Sequence, residues 1–192
     1  MHMMMRYSRS NRGFTLIEVL ITFFIIAIGL LGLAGLQLTT LQSQLEAYQR
    51  AQAILLVEDM ANRVRVNPAA AKNSTPAYTD GDEYGLLTSV ACDPNTQTIA
   101  EYDLCDWNNI LAGQSVSLGA ANVGSINAAR GCIENIVGPS GDGEVIVRVT
   151  VAWMGTAPTV APDNTCGQGA YGDDDRFRRV LSINSVLADL TN

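Results

Sequence analysis

Histidine is all but missing from this 192-residue chain: the one copy, His2, stands at the extreme N-terminus. Its scarcity and position argue strongly against a His-based catalytic triad and against a metal centre built on several histidines before any motif is considered. Charge is also scarce, with 16% Asp, Glu, Lys and Arg against 47% hydrophobic residues and a mean hydropathy of +0.13. That balance rules out a disordered chain, and the length is enough for one ordinary domain with an appendage. Basic residues are the scarcer sign, 12 against 19 acidic ones, for a net charge of −7. Phosphate binding rests on clustered Lys and Arg, so nucleic acid is an unlikely partner for the chain as a whole.

What is present is concentrated in one place. The run from Phe14 to Leu36 is almost wholly apolar, and no charged residue occurs between Val19 and Leu45. As a helix it would measure roughly 34 Å, enough to cross the hydrocarbon core of a bilayer. Ahead of it, Met1 to Gly13 carries Arg6, Arg9 and Arg12 and no acidic residue. Basic flanks stay on the cytoplasmic side, so the expected orientation is N-terminus in and C-terminus out, as a single pass. An ordinary secretory signal fits poorly, because its apolar region is about 7 to 15 residues and ends at a small-residue cleavage site. Met3, Met4 and Met5 are alternative starts. Glycines 29, 32 and 35 each cost about 0.5 to 1 kcal/mol against Ala in a helix interior, which points to close helix packing in the membrane or to local melting on assembly.

Beyond Leu36 the pattern becomes amphipathic. Leu38, Leu41, Leu45, Tyr48 and Leu55 fall close to a heptad stripe, followed by Ile54, Val57, Ala61 and Val64 on a drifting face expected to lie against the domain. Glu46 with Arg50, and Asp59 with Arg63, are acid-first i,i+4 pairs expected on the exposed side. Arg63 and Arg65 suit the helix C-terminus, and Pro68 after Asn67 marks the stop, so one helix is expected over about 14–66.

The rest reads as an α+β domain. Residues 69–90 form a loop, including Asp80-Gly-Asp-Glu83. A short helix is expected from about Thr96 to Leu111, with Ile99, Leu104, Trp107, Ile110 and Leu111 available for packing and Trp107 as the core anchor. In Glu144 to Trp153 every odd position from 145 is apolar, the signature of a strand with one buried face. A turn at Gly138–Gly143 joins it to a strand including Ile133 to Val137, and a last strand is expected around Arg179 to Leu187.

The four cysteines, Cys92, Cys105, Cys132 and Cys166, all follow the apolar run. An even number on the outer side of a membrane favours two disulfides. Zinc is disfavoured because no C-x-x-C pair occurs. Four cysteines allow three connectivities; Cys92 with Cys105 and Cys132 with Cys166 is the expected one, since the first pair closes a compact loop on the short helix. Gly167-Gln-Gly-Ala-Tyr-Gly172 matches G-x-G-x-x-G only formally, because it follows a loop rather than a strand and leads into Asp173-Asp-Asp175 rather than a helix. The acidic groups at 80–83 and 173–175 fit no EF-hand spacing and are expected to be solvated, with Arg176, Arg178 and Arg179 offsetting the second. No cofactor or metal is called for, and no nucleophile and base pair supports an enzyme.

One segment carries a specific resemblance. Arg12-Gly13-Phe14-Thr15-Leu16-Ile17-Glu18-Val19-Leu20 resembles the class III signal of type IV pilins and type II secretion pseudopilins: a basic leader, G-F-T-L-I-E, then an uninterrupted apolar helix. The resemblance implies that a membrane prepilin peptidase cuts between Gly13 and Phe14 and that Phe14 becomes the methylated N-terminus. It also implies a partner for Glu18, whose carboxylate is costly in hydrocarbon: the terminal ammonium of Phe14 on a neighbouring subunit. The alternative is Glu18 reaching back to the headgroups. Ile28 to Gln37, then Ala47 to Ala53, then Glu58 to Pro68 are similar to minor pilins of the PilV class.

The implied organisation is a removed leader (1–13), a transmembrane and filament-core helix (14–36), its amphipathic continuation (37–67) and a periplasmic α+β domain with two disulfides (68–192). The implied fold is that of type IV pilins, a long N-terminal helix packed on an antiparallel β-sheet. The implied role is pilus biogenesis, twitching motility and adhesion, in company with major and minor pilins, the peptidase, an inner-membrane assembly platform and a tip adhesin. The location would be the inner membrane first and the pilus fibre or tip afterwards. A type II secretion pseudopilin shares every feature through Glu18, and a pilus-displayed adhesin or DNA-binding module is the alternative from another class. Loss of the leader would take three arginines and His2 with it, moving the side-chain net charge from −7 to −10.

Overall fold

The computed structural model describes residues 13–72, 77–79, 81–86, 90–114, 117–118, 121–122, 124–136 and 145–187. The leader through Arg12, part of the 69–90 loop including Asp80, and the expected turn at 138–143 lie outside the described residues. The chain divides into two compact units, Met1–Ser43 and Gln44–Asn192. One helix, α1 (Leu16–Val66), contributes to both.

In the first unit α1 opens at Thr15, whose carbonyl and hydroxyl oxygens both accept from the Glu18 N–H, at 3.1 and 3.4 Å. The hydroxyls of Thr22, Thr39, Thr40 and Ser43 each donate to a helix carbonyl three or four residues back. Such back-bonding leaves none of these hydroxyl donors unsatisfied if the helix enters lipid.

The second unit is built on the rest of α1, which buries Ala53, Leu56, Val57, Met60, Ala61 and Val64 at the three- and four-residue steps of one helix face. The helix stops before Asn67, and α2 (Pro68–Lys72) restarts with Pro at a first-turn position where its missing N–H costs nothing. After β1 (Glu83–Tyr84) comes α3 (Ile99–Leu111). A capping box fixes its start: the Thr98 hydroxyl accepts from the Glu101 N–H at 3.3 Å, and the Glu101 carboxylate accepts from the Thr98 N–H at 2.7 Å. A two-residue hairpin, β2 (Ser117–Leu118) and β3 (Ala121–Asn122), leads to β4 (Arg130–Ile136), β5 (Val145–Met154) and β6 (Arg178–Leu187). Strands β1, β4, β5 and β6 form one antiparallel sheet in that spatial order. This long helix on a four-stranded antiparallel sheet is the α+β architecture of type IV pilins.

The odd residues of β5 behave as the alternation predicts, with Val147, Val149, Val151 and Trp153 buried in the core shared with α1 and α3. The opposite face is not left to solvent. Ala152 lies buried with Cys166 and Tyr171, so the β5–β6 connection covers part of it.

Three expectations are corrected. Leu38, Leu41, Leu45, Tyr48 and Leu55 are all more than half exposed, and Ile54 is also exposed. The face of α1 that meets the domain is set by Trp107, which is fully buried and donates its indole N–H to the Leu56 carbonyl at 3.0 Å. Ile99, at the open start of α3, is exposed rather than packed. Glu46 does not pair with Arg50: one of its carboxylate oxygens accepts from the Thr156 N–H at 2.7 Å, the Thr156 hydroxyl at 2.9 Å and Arg179 at 3.3 Å. Asp59 and Arg63 do pair, at 3.0 Å, but Arg63 is half-buried and reaches on to Asp103 and Asp106 of α3.

Candidate functional site

Gly13 and Phe14 sit just ahead of α1, in backbone that forms no helix. A Cβ placed on Gly13 would meet nothing within 4 Å, and Phe14 is 85% exposed. Glu18 lies in the first helical turn, where a carboxylate complements the helix dipole. Among the described residues its carboxylate has no hydrogen bond or ion pair. From Leu16 to Leu36 the apolar side chains are exposed, and α1 is, among the described residues, the one helix long and apolar enough to cross a membrane. Added Cβ atoms at Gly29, Gly32 and Gly35 would also meet nothing, so the close approaches that glycines permit are not made within this chain. Each such side chain gains about 1.5 to 3 kcal/mol when fully removed from water, so the segment requires lipid or other helices around it. The arrangement offers association, with an acid placed to take a cation from outside.

Residues 8–34 match the prokaryotic N-terminal methylation motif, and residues 35–105 match the family described as type IV pilin Tt1218. Together the two matches run from the leader through the whole of α1 and most of α3. The chain is a type IV pilin. No curated protein and no solved structure gives a significant match. The methylation motif and the apolar helix fit a pilin anchored in the inner membrane before it enters a pilus, assembling with other pilins after processing by prepilin peptidase. The family is a structural one, consistent with a chain that is not an enzyme.

In this pilin the domain is fastened at several points. Disulfides join Cys92, ahead of α3, to Cys105 at its middle, and Cys132 of β4 to Cys166 of the β5–β6 connection. Glu83 comes close to the second pair, but both sulfurs are committed to the disulfide and leave no thiolate for a metal. Arg178, 2% exposed, donates to the carbonyls of Pro162, Asn164 and Cys166 and pairs with Asp175 at 3.4 Å. Asp175 in turn accepts from the Gly169 N–H at 2.8 Å. The glycine-rich segment thus spends a backbone donor on its own carboxylate rather than on a phosphate, while Gly167, Gly169 and Gly172 supply the positive φ its turns need. Of the three arginines expected to offset the 173–175 acids, Arg178 does so, Arg179 serves Glu46 instead, and Arg176 forms no ion pair among the described residues.

Two polar clusters escaped sequence reasoning because their members are far apart along the chain. Tyr78, fully buried, donates to Asp103 at 2.6 Å and accepts from the Asn67 side chain at 3.3 Å. Burial and the nearby carboxylate push its phenol well above the ordinary tyrosine value. Partial burial pushes the Glu46 carboxyl up, but the Thr156 donors and the Arg179 guanidinium outweigh it and hold the pKa below the usual value.

Replacing Cys132 and Cys166 together by Ser should lower the urea-unfolding free energy by about 4 kcal/mol, against about 3 kcal/mol for the Cys92 and Cys105 pair, from their 34- and 13-residue separations. Equal or reversed costs, measured on the full chain in detergent, would show that loop length does not govern these cross-links.

Proposed function

We propose that this pilin is a minor pilin of the PilV kind, held in the inner membrane with its domain in the periplasm and incorporated into, or priming, a type IV pilus for twitching motility and adhesion. The observation that carries the proposal is Glu18, without a partner among the described residues and four residues past Phe14, at the head of an exposed apolar helix. Cleavage after Gly13 would create an ammonium at Phe14. In an assembled fibre only one axial stagger brings a neighbour's ammonium to Glu18, so the pair would set the stagger while the apolar faces supply the adhesion. Glycines 29, 32 and 35, open in this chain, would let neighbouring helices approach closely. The similarity of 28–37, 47–53 and 58–68 to PilV-class sequences favours a pilus component over a secretion pseudopilin.

Intact-mass measurement of the protein from its own cells tests the scheme at its base. The expected mass lacks residues 1–13 and carries one extra methyl group. A full-length mass, or cleavage elsewhere, would remove the foundation of the proposal. Deletion of the gene, scored for surface pili and twitching against exoprotein secretion, then separates pilus from secretion function.

A further inference from the structure

Arg50 is left over. Arg63, Arg130, Arg148, Arg178 and Arg179 all form ion pairs within the domain, and Arg65 bonds to Asn62. The acid that the sequence sets four residues before Arg50 is taken by Thr156 and Arg179, and among the described residues Arg50 has no hydrogen bond or ion pair. Arg176 is the other arginine without such a bond among the described residues, and Arg50 differs from it in standing in a cleft beside a second guanidinium.

Its setting is equally one-sided. Arg50 lines a cleft of about 410 Å³ together with Glu46, Ala47, Trp153, Arg179, Val180 and Leu181. Trp153 is 3% exposed and its indole N–H has no acceptor among the described residues. Within the cleft the one carboxylate, Glu46, already accepts three hydrogen bonds on one oxygen. Two guanidinium groups, Arg50 and Arg179, stand there against one carboxylate, so positive charge is in excess. A planar guanidinium in such a place is suited to a carboxylate, which it can hold through two parallel hydrogen bonds.

We propose that the cleft at Arg50, Trp153 and Arg179 receives an Asp or Glu side chain of an adjoining pilin subunit. The inference rests on the chain assembling with other pilins, but not on its being a minor pilin. Because Arg50 makes no bond among the described residues, and a like-charge pair with Glu46 one turn away is weak, Arg50→Glu should lower the thermal midpoint of the full chain only slightly. Its like charge should repel the incoming acid and lower the fraction of chain recovered in sheared pili by roughly tenfold, while Arg50→Lys, which keeps the charge but not the paired hydrogen bonds, should fall between that level and wild type.

Zero-length carbodiimide coupling on membranes and filaments reads the contact directly. The lysine installed by Arg50→Lys should form an isopeptide bond with an Asp or Glu of another pilin, found by peptide mass spectrometry. The unsubstituted chain, whose one natural lysine is Lys72, is the control. The intermolecular link is decisive: coupling only to the chain's own Glu46, or none, overturns the proposal whatever the pilus count. A link formed in membranes by a chain that never reaches filaments would uphold the cleft and sink the minor-pilin reading. Filaments containing the chain but no link would do the reverse.

Discussion

Trp107→Ala should cost about 3 to 5 kcal/mol, a large share of the 5 to 15 kcal/mol that keeps a domain folded. Trp107 is fully buried at the centre of α3 and meets three other elements. Its indole N–H reaches the Leu56 carbonyl of α1 at 3.0 Å, and its ring lies 5.8 Å from that of Tyr84 in β1 at a 51° tilt. A Cβ added at Gly131 of β4 would collide with the same ring. Truncation would therefore open a cavity at the junction of α1, α3 and the sheet. The Leu56 carbonyl would lose its side-chain donor but keep its place in the helix, so most of the cost is lost packing. Gly131→Ala should damage the same contact from the other side, by overpacking, at about 1 to 3 kcal/mol. Urea unfolding of the full chain followed by tryptophan and tyrosine fluorescence measures both. A loss below about 1 kcal/mol for Trp107→Ala would mean that α1 is anchored elsewhere.

That anchor explains which parts of the fold the sequence disclosed. Trp107 was legible as a core residue because a large aromatic at the helical spacing of Leu104 and Leu111 has few other uses. The β5 alternation was legible because period two over ten residues has no helical counterpart. The face of α1 was not. Between Leu38 and Val64 apolar residues form two stripes, and nothing local says which one the domain takes; the choice falls to Trp107 and the sheet, distant in sequence. The Glu46–Arg50 pair failed for a related reason. An exposed i,i+4 ion pair is worth only about 0.2 to 0.5 kcal/mol, and three donors supplied by Thr156 and Arg179 outcompete it. Arg178 likewise gave no signal, since the carbonyls it gathers belong to residues 12 to 16 positions upstream. The proposed processing segment is a different case, because Gly13, Phe14 and Glu18 lie within one short stretch of sequence and can be read together without the fold. The Arg50 cleft was illegible for the opposite reason, with walls drawn from both ends of the domain.

Gly13→Val is expected to hold the pilin in the membrane and keep it below about a hundredth of the wild-type level in sheared pili. A side chain at this position would meet no neighbour among the described residues, so the substitution leaves the described fold undisturbed. Its effect would be on processing, where the resemblance to class III signals puts the cut. An uncleaved chain fails twice over. Phe14 keeps an amide nitrogen instead of an ammonium, so Glu18 gains no cation and its carboxylate would enter the fibre core unpaired. The leader also retains Arg6, Arg9 and Arg12, and drawing each guanidinium through the bilayer costs about 2.5 to 3.5 kcal/mol even on the gentlest scale. Together the three outweigh what a hundredfold exclusion requires. Glu18→Ala separates the two failures: it should be cleaved and methylated normally, as seen by mass, yet enter pili poorly because only the pairing is lost. A Gly13→Val chain of full-length mass recovered in pili at wild-type levels would show that neither the free ammonium nor release of the basic leader is needed for assembly.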